Sequence, residues 1–235
     1  MEHIDKVIGT FEKTEAPMPD SPQVSRVVVS RLPRYHRYLR MLIEEGRLRI
    51  SSSELSAMMN VTASQIRQDF NCFGGFGQQG YGYNVKYLYS KISELLGVNE
   101  DYRTIIIGAG NLGRALAGTH MFERRGIRRL GMFDNNPEVV GQTIYGLPVY
   151  HIDRLEKFCS ERHVDFAVMT TPREVAPAIA ERLVKLGVRG ILNFANVDLA
   201  VRDQNVIVEN VHLSDPLMKF CYDLKHHTSD KKDEQ

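Results

Sequence analysis

No tryptophan occurs in this chain, only three cysteines do, and its charges nearly cancel to a formal net +1. Each shortage excludes something. Cys72, Cys159 and Cys221 are odd in number, far apart and without Cys-x-x-Cys spacing, so neither a disulfide framework nor a thiolate zinc site is expected, and no metal site is assigned. They read as reduced thiols or small apolar packing residues, with a redox-sensing thiol as the alternative for Cys72. Glu2, Asp5, Lys6, Glu12, Lys13 and Glu15 interrupt the amino-terminal stretch, which leaves no apolar signal segment there. Elsewhere no apolar run approaches membrane-spanning length, so a cytoplasmic protein without a membrane partner is the expectation.

The small net charge hides an uneven distribution. Arg26, Arg31, Arg34, Arg37, Arg40, Arg47, Arg49, Arg67, Lys86 and Lys91 stand against Glu44, Glu45, Glu54, Asp69 and Glu94 between Val24 and Val98. Such an excess in one half of a near-neutral chain fits an anionic partner for that half, and fits equally a solvated helix face.

Farther along, Thr104-Ile105-Ile106-Ile107 runs into Gly108-Ala109-Gly110-Asn111-Leu112-Gly113 and then into helix-forming residues. A β-branched run ending in Gly-x-Gly-x-x-Gly and opening a helix is the strand, tight turn and helix of a dinucleotide site. Gly108 allows the turn, Gly110 lets backbone approach a pyrophosphate, and Gly113 lets the helix pack close to the strand. Asp134 ends a second apolar run from Leu130, about 20 residues on, where a carboxylate meets ribose hydroxyls. The alternative is a glycine-rich turn in some other α/β domain.

Further strands are expected at Asp165 to Thr170, Gly190 to Phe194 and Val206 to Val208, with helices at Leu112 to Met121 and Arg173 to Leu186. This alternation predicts a parallel sheet with helices on both faces and a ligand beyond the carboxyl ends of the strands. Those ends carry Asp134-Asn135, Thr170-Thr171-Pro172 and Asn193-Phe194-Ala195, which should line one crevice.

Ahead of this domain, residues 1–22 are polar and broken by Pro17, Pro19 and Pro22, which predicts a loosely ordered arm. A helix follows from Ser30, with Pro33 in its first turn and Tyr35, Tyr38, Leu39, Leu42 and Ile43 inward, ended by Gly46. Ser51 to Glu54 is a capping box opening a short helix, Asn60-Val61 makes a turn, and Thr62 to Gln65 is a second cap of the same form. The second helix turns Ile66 and Phe70 inward and offers Ser64, Gln65, Arg67 and Gln68 outside. These residues alone fit a base-reading helix-turn-helix and a plain polar-faced hairpin equally. Phe73 to Tyr83, alternating glycines with aromatics and amides and free of acidic residues, tips the balance. It suits a wing along a phosphate backbone, with Gln79, Tyr81 and Tyr83 as contacts, against a hairpin that packs its aromatics under the domain. Val85, Leu88, Ile92, Leu95 and Leu96 make a last helix ended by Gly97.

The expected architecture is therefore α/β overall. A winged helix-turn-helix domain over residues 23–99 precedes a Rossmann-type parallel-sheet domain over 100–212, a dimerisation helix over 213–228 and a polar tail over 229–235. The terminal helix has Ser214-Asp215-Pro216 as its cap and Leu217, Phe220, Cys221 and Leu224 as an apolar face, which a second subunit would cover.

Several motifs in order resemble the Rex family of redox-sensing transcriptional repressors, from about Arg31 to Leu224. They are Arg31-Leu32-Pro33, Val61 to Phe70, Phe76-Gly77 with Gly80 to Val85, Gly108 to Leu116, Thr171 to Glu174 and Ile191 to Ala195. The resemblance implies a homodimer that binds a pseudo-palindromic operator, a terminal helix inserted between subunits, and release from DNA by NADH. It places cofactor phosphates on Gly108 to Gly113, the adenosine ribose on Asp134, and the operator on Ser64, Gln65, Arg67 and Gln68. Asn196 stands where the family often has Pro, and Gln79 where it often has Arg. Where many members carry an Asp before the terminal helix, His212 and Asp215 are nearest.

Two rival classes remain. One is a small NAD-dependent oxidoreductase, but the Tyr87-x-x-x-Lys91 spacing precedes the cofactor turn and no substrate domain follows the sheet. The other is a winged-helix regulator that senses a different nucleotide or coenzyme A.

Overall fold

The computed structural model describes residues 24–74, 77–78, 82–98, 100–201 and 203–227. The expected arm at 1–22, the wing positions Gln79 and Tyr81, and the tail at 229–235 lie outside them. Two compact units divide the chain, Met1–Gly97 and Val98–Gln235.

In the first unit, α1 (Arg26–Val29) and α2 (Leu32–Glu44) precede the short strand β1 (Arg49–Ile50). Then come α3 (Ser52–Met59), α4 (Ala63–Asn71), the strands β2 (Gly77–Gln78) and β3 (Gly82–Asn84), and α5 (Val85–Leu95). The strands form one antiparallel sheet in the order β1-β3-β2. Helix, strand, two helices and a hairpin in this sequence make a winged helix.

Pro33 sits in the first turn of α2, and Tyr35, Leu39 and Leu42 recur at three and four on its buried face. They meet Leu55, Met59, Ile66, Phe70, Leu88 and Ile92 in one core. Gly82, at φ +71°, is required where β3 crosses β1, because a Cβ there would lie 2.7 Å from the Ile50 carbonyl oxygen. Neither α1 nor β1 is legible in the sequence pattern, each being too short to show a period.

The second unit contains β4 (Arg103–Ile107), α6 (Asn111–Ala117), β5 (Arg128–Asp134), β6 (Thr143–Ile144), β7 (Leu147–His151) and α7 (Leu155–Glu161). It continues with β8 (Phe166–Met169), α8 (Ala176–Lys185), β9 (Gly190–Asn193), β10 (Ile207–Asn210) and α9 (Ser214–His227). Its sheet runs β10-β9-β8-β4-β5-β7-β6, parallel except for the β6–β7 pair. The first strand lies in the middle, and the chain winds outward from it in both directions. Successive side chains feed opposite layers, as the pleat requires. Ile105, Ile107, Phe133 and Met169 pack with Phe158 and Leu183 on one face, while Ile106, Met132 and Val168 pack with Ala117 and Phe122 on the other.

Three details depart from the sequence reading. The β6–β7 hairpin was hidden by Pro148, which is tolerated because its strand pairs only with the two-residue edge strand there. Tyr145 and Gly146, both at positive φ, make its turn. Helix α6 stops at Ala117, not Met121, with the Thr119 hydroxyl donating to the Leu116 carbonyl instead of a continued helical turn. Helix α8 starts at Ala176, not Arg173, because Pro177 fits only a first turn. Among the described residues no helix is long and apolar enough to cross a membrane.

Candidate nucleotide crevice and nucleic-acid face

At the carboxyl end of β4 the chain turns at Gly108, whose φ is +100°. A Cβ at Gly108 would stand 2.7 Å from the Thr170 carbonyl oxygen, and one at Gly113 would stand 2.0 Å from the Gly108 carbonyl oxygen. Both glycines are thus demanded by packing. Gly110 differs, since a Cβ built there meets nothing within 4 Å. It caps α6 without a side-chain hydrogen bond, so first-turn N–H groups face the open space above it. A phosphate fits such a position. The Arg114 guanidinium donates to the Ala109 carbonyl at 2.8 Å and steadies the turn.

Asp134 closes β5 beside this turn. One carboxylate oxygen accepts the Ala109 N–H at 2.6 Å and the other accepts the Asn136 N–H at 2.8 Å. A carboxylate has about four acceptor sites, so capacity remains for a ribose diol. Asn135, next to it, is exposed.

On the other side of β4, the Thr170 hydroxyl bridges the Ile107 and Gly108 carbonyls at 3.0 Å each. Thr171 Oγ1 is buried with no hydrogen-bond partner among the described residues. An orphaned hydroxyl beside the turn is what a ligand with a polar group would satisfy. Pro172 is exposed and Phe194 is half-buried against the sheet. Asn193 is fully buried and spends its side chain internally, donating to the Val197 carbonyl and Asn210 and accepting the Ala195 N–H. Its role here is to hold the loop after β9 against β10. In the same loop Asp198 pairs with His212 at 2.8 Å, and that hydrogen bond raises the His212 pKa.

The winged-helix unit presents α4 by two caps. Ser51 and Glu54 form the full capping box on α3, and its bonds, led by the Ser51 N–H, bring the Glu54 carboxyl down to about 2. Asn60, at φ 51°, turns the chain into α4. Thr62 caps α4 through the Gln65 N–H, but the reciprocal arm expected from Gln65 is absent. Gln65 instead donates its amide to Asp69 at 2.8 Å.

That carboxylate is the center of the unit. Asp69 is 1% exposed and also accepts two bonds from Arg31, both at 2.6 Å, and one from the Tyr35 hydroxyl at 2.8 Å. Burial pushes its pKa up, but the bonds from Arg31, Tyr35 and Gln65 outweigh burial and hold it below the ordinary value. The sequence carried one signal for this role: Asp69 lies three residues from Ile66 and beside Phe70, on the inward face.

Ser64, Arg67 and Gln68 are exposed on α4, with Arg67 donating to Ser52 at 3.1 Å. Arg34 and Arg37 on α2 are exposed too. Tyr83 is not on the surface. Its ring packs edge-on against Phe70 at 5.0 Å, so this wing aromatic serves the core.

Two family models match the chain: "Putative DNA-binding protein N-terminus" over residues 23–71 and "CoA binding domain" over 99–197. A redox-sensing transcriptional repressor Rex of Caldanaerobacter subterraneus subsp. tengcongensis is 50% identical over 209 residues, which covers 89% of this chain and 93% of the relative. The chain belongs to the Rex family of redox-sensing transcriptional repressors. A Clostridium perfringens Rex is 48% identical over 86% of this chain and 95% of its own. Among solved structures, the Rex-family repressor RSP in complex with β-NAD+ and operator DNA superposes with a TM-score of 0.82 at 48% identity, over 90% of this chain and 97% of that one. RSP in complex with β-NADH gives a TM-score of 0.82 at 46% identity, over 89% and 98%. These Rex relatives are named as repressors, not enzymes.

Proposed function

We propose that this chain represses transcription as a homodimer on double-stranded operator DNA in the cytoplasm, and that NADH releases it. The observation that carries the reading is the open position at Gly110 beside the Asp134 carboxylate, in one chain with a winged-helix unit. Gly108 to Gly113, with Ala109, Asn111 and Leu112, would hold the pyrophosphate, and Asp134 with Asn135 the adenosine ribose. Thr170, Thr171, Pro172 and Phe194 would border the nicotinamide half, and Asn193 would keep that border in place. When bound, the dinucleotide supplies the redox signal, and this chain's residues only recognise it. On the DNA side, Ser64, Gln65, Arg67 and Gln68 would meet base edges and phosphates, and the glycine-rich wing would follow the backbone.

The second subunit is supported by α9. Leu217, Met218, Phe220, Tyr222 and Leu224 are all more than half exposed, and α9 buries no residue. A helix of this length is marginal alone in water, so its apolar residues need a surface.

A coenzyme A reading is favored by the name of the matching model. Asp134 speaks against it, since coenzyme A and NADP both carry a phosphate on the adenosine ribose where a carboxylate repels it. The experiment is to titrate protein bound to labelled operator with NADH, NAD+, NADPH and coenzyme A in turn, following anisotropy. Release by NADH alone at low concentration is expected. Release by coenzyme A or NADPH in its place would overturn the assignment.

A further inference from the structure

We infer that Asp69 acts as a positioning residue for base recognition, fixing the Gln65 amide so that Gln65 accepts adenine and rejects guanine at one operator position. This rests on the proposal that α4 reads DNA. Gln65 lies in the first turn of α4, between exposed Ser64 and Arg67 in sequence, in the part of a recognition helix whose side chains reach base edges. A glutamine amide is ambiguous by itself, because its oxygen and its NH2 group occupy similar space and turning it exchanges acceptor for donor. Its partners decide which way it stands.

Here the partner leaves no choice. Both Asp69 oxygens are filled by donors: Oδ2 by Arg31 Nε and the Tyr35 hydroxyl, Oδ1 by an Arg31 terminal nitrogen and Gln65 Nε2. A carboxylate so paired with a guanidinium carries no proton and can only accept. Gln65 must therefore face Asp69 with its NH2 end, since its oxygen there would oppose a buried anion. One N–H is spent on Asp69. The remaining edge of the amide holds Oε1 and the other N–H, an acceptor beside a donor.

That edge matches adenine in the major groove, which offers an N6 donor next to an N7 acceptor. Guanine offers two acceptors, O6 and N7, and the fixed Oε1 would face one of them. The same carboxylate ties α4 to α2 through Arg31 and Tyr35, so the orientation of the amide and that of its helix are set by one group.

The test uses the full-length protein and a duplex that it selects from a randomised pool, with every base pair of one half-site changed singly. Wild type should lose about tenfold in affinity when one adenine becomes guanine, and a similar amount when that adenine becomes purine, which lacks N6. Gln65→Ala should equalise adenine and guanine at that position and keep the preferences elsewhere. Asp69→Asn, checked for folding by circular dichroism, should let the amide turn and narrow the adenine-to-guanine ratio there alone, whereas a purely structural role would weaken every site alike. An Asp69→Asn protein with the ratio intact, or a Gln65-dependent position that prefers guanine, would overturn the inference while leaving α4 as the reading helix. If Asp69→Asn does not fold, a wild type indifferent to the purine substitution still overturns the inference, and Asp69→Glu, which keeps the charge but displaces the acceptor from the Gln65 amide, takes its place and should narrow the same ratio. If Gln65→Ala, Arg67→Ala and Gln68→Ala all leave every base preference unchanged, the reading of α4 itself falls, and the inference with it.

Discussion

The Asp134 carboxylate accepts the Ala109 N–H at 2.6 Å, which joins the end of β5 to the turn after β4 and sets the acid where a ribose bound over that turn would lie. Replacement of Asp134 by Ala should therefore weaken NADH about tenfold, the scale of a lost hydrogen bond to a charged group, and should narrow the preference over NADPH. Calorimetry with both dinucleotides checks this. Equal affinities in the wild type would show that Asp134 does not read the ribose.

Gly110 and Gly113 should separate binding from folding. An alanine at 110 meets nothing within 4 Å and keeps an ordinary φ of −73°, so Gly110→Ala should melt like wild type yet bind NADH at least tenfold more weakly. Gly113→Ala puts a methyl 2.0 Å from the Gly108 carbonyl oxygen, and overpacking of this kind costs about 1–3 kcal/mol or more. Thermal melts of the two variants, paired with NADH titrations, should show loss of binding alone in the first and loss of both in the second.

Arg31 neutralises a carboxylate that is 1% exposed. Arg31→Ala would leave that charge buried without its partner, at a cost on the order of 3 kcal/mol, read as a lower denaturant midpoint for the winged-helix unit. The Asp69 pKa is depressed in the folded protein below its ordinary 3.8. Its stabilising share is thus complete above about pH 4 and is lost as pH falls through the folded value. Acid titration of Arg31→Ala should show the winged-helix transition at higher pH than in wild type, and coincident transitions would argue against the pairing.

Much of this was legible in the sequence because it rests on local rules. The β-branched run at 104–107 and its glycines predicted a strand and tight turn, and Ser51 with Glu54 announced a cap that the structure contains in full. What stayed hidden depends on long-range pairing. Thr62 and Gln65 look like a second capping box until Asp69, four residues on, draws the amide away with Arg31 fixed from 38 residues back. Tyr83 looks like a wing contact until Phe70 claims its ring, and Asn193 looks like a crevice residue until Asn210 is folded against it. No period or motif in a single segment reports such partners.

The terminal helix should carry the coupling between subunits. Leu217→Glu with Phe220→Glu places charges in the apolar face of α9 and should shift sedimentation from dimer to monomer, with operator affinity falling as one half-site is lost. The milder Phe220→Ala should remain dimeric and show weaker coupling between NADH and operator. A dimer with coupling unchanged would relieve Phe220 of that role.

A ligand releases a repressor only by binding its two states with different affinity, and the coupling must be the same read from either side. The most direct measurement is therefore the affinity of the wild-type dimer for NADH, by calorimetry, with and without saturating operator duplex. Operator should weaken NADH by the same factor by which NADH weakens operator, a factor of about 5–150 for coupling of ordinary strength. NADH affinity indifferent to operator would contradict the account.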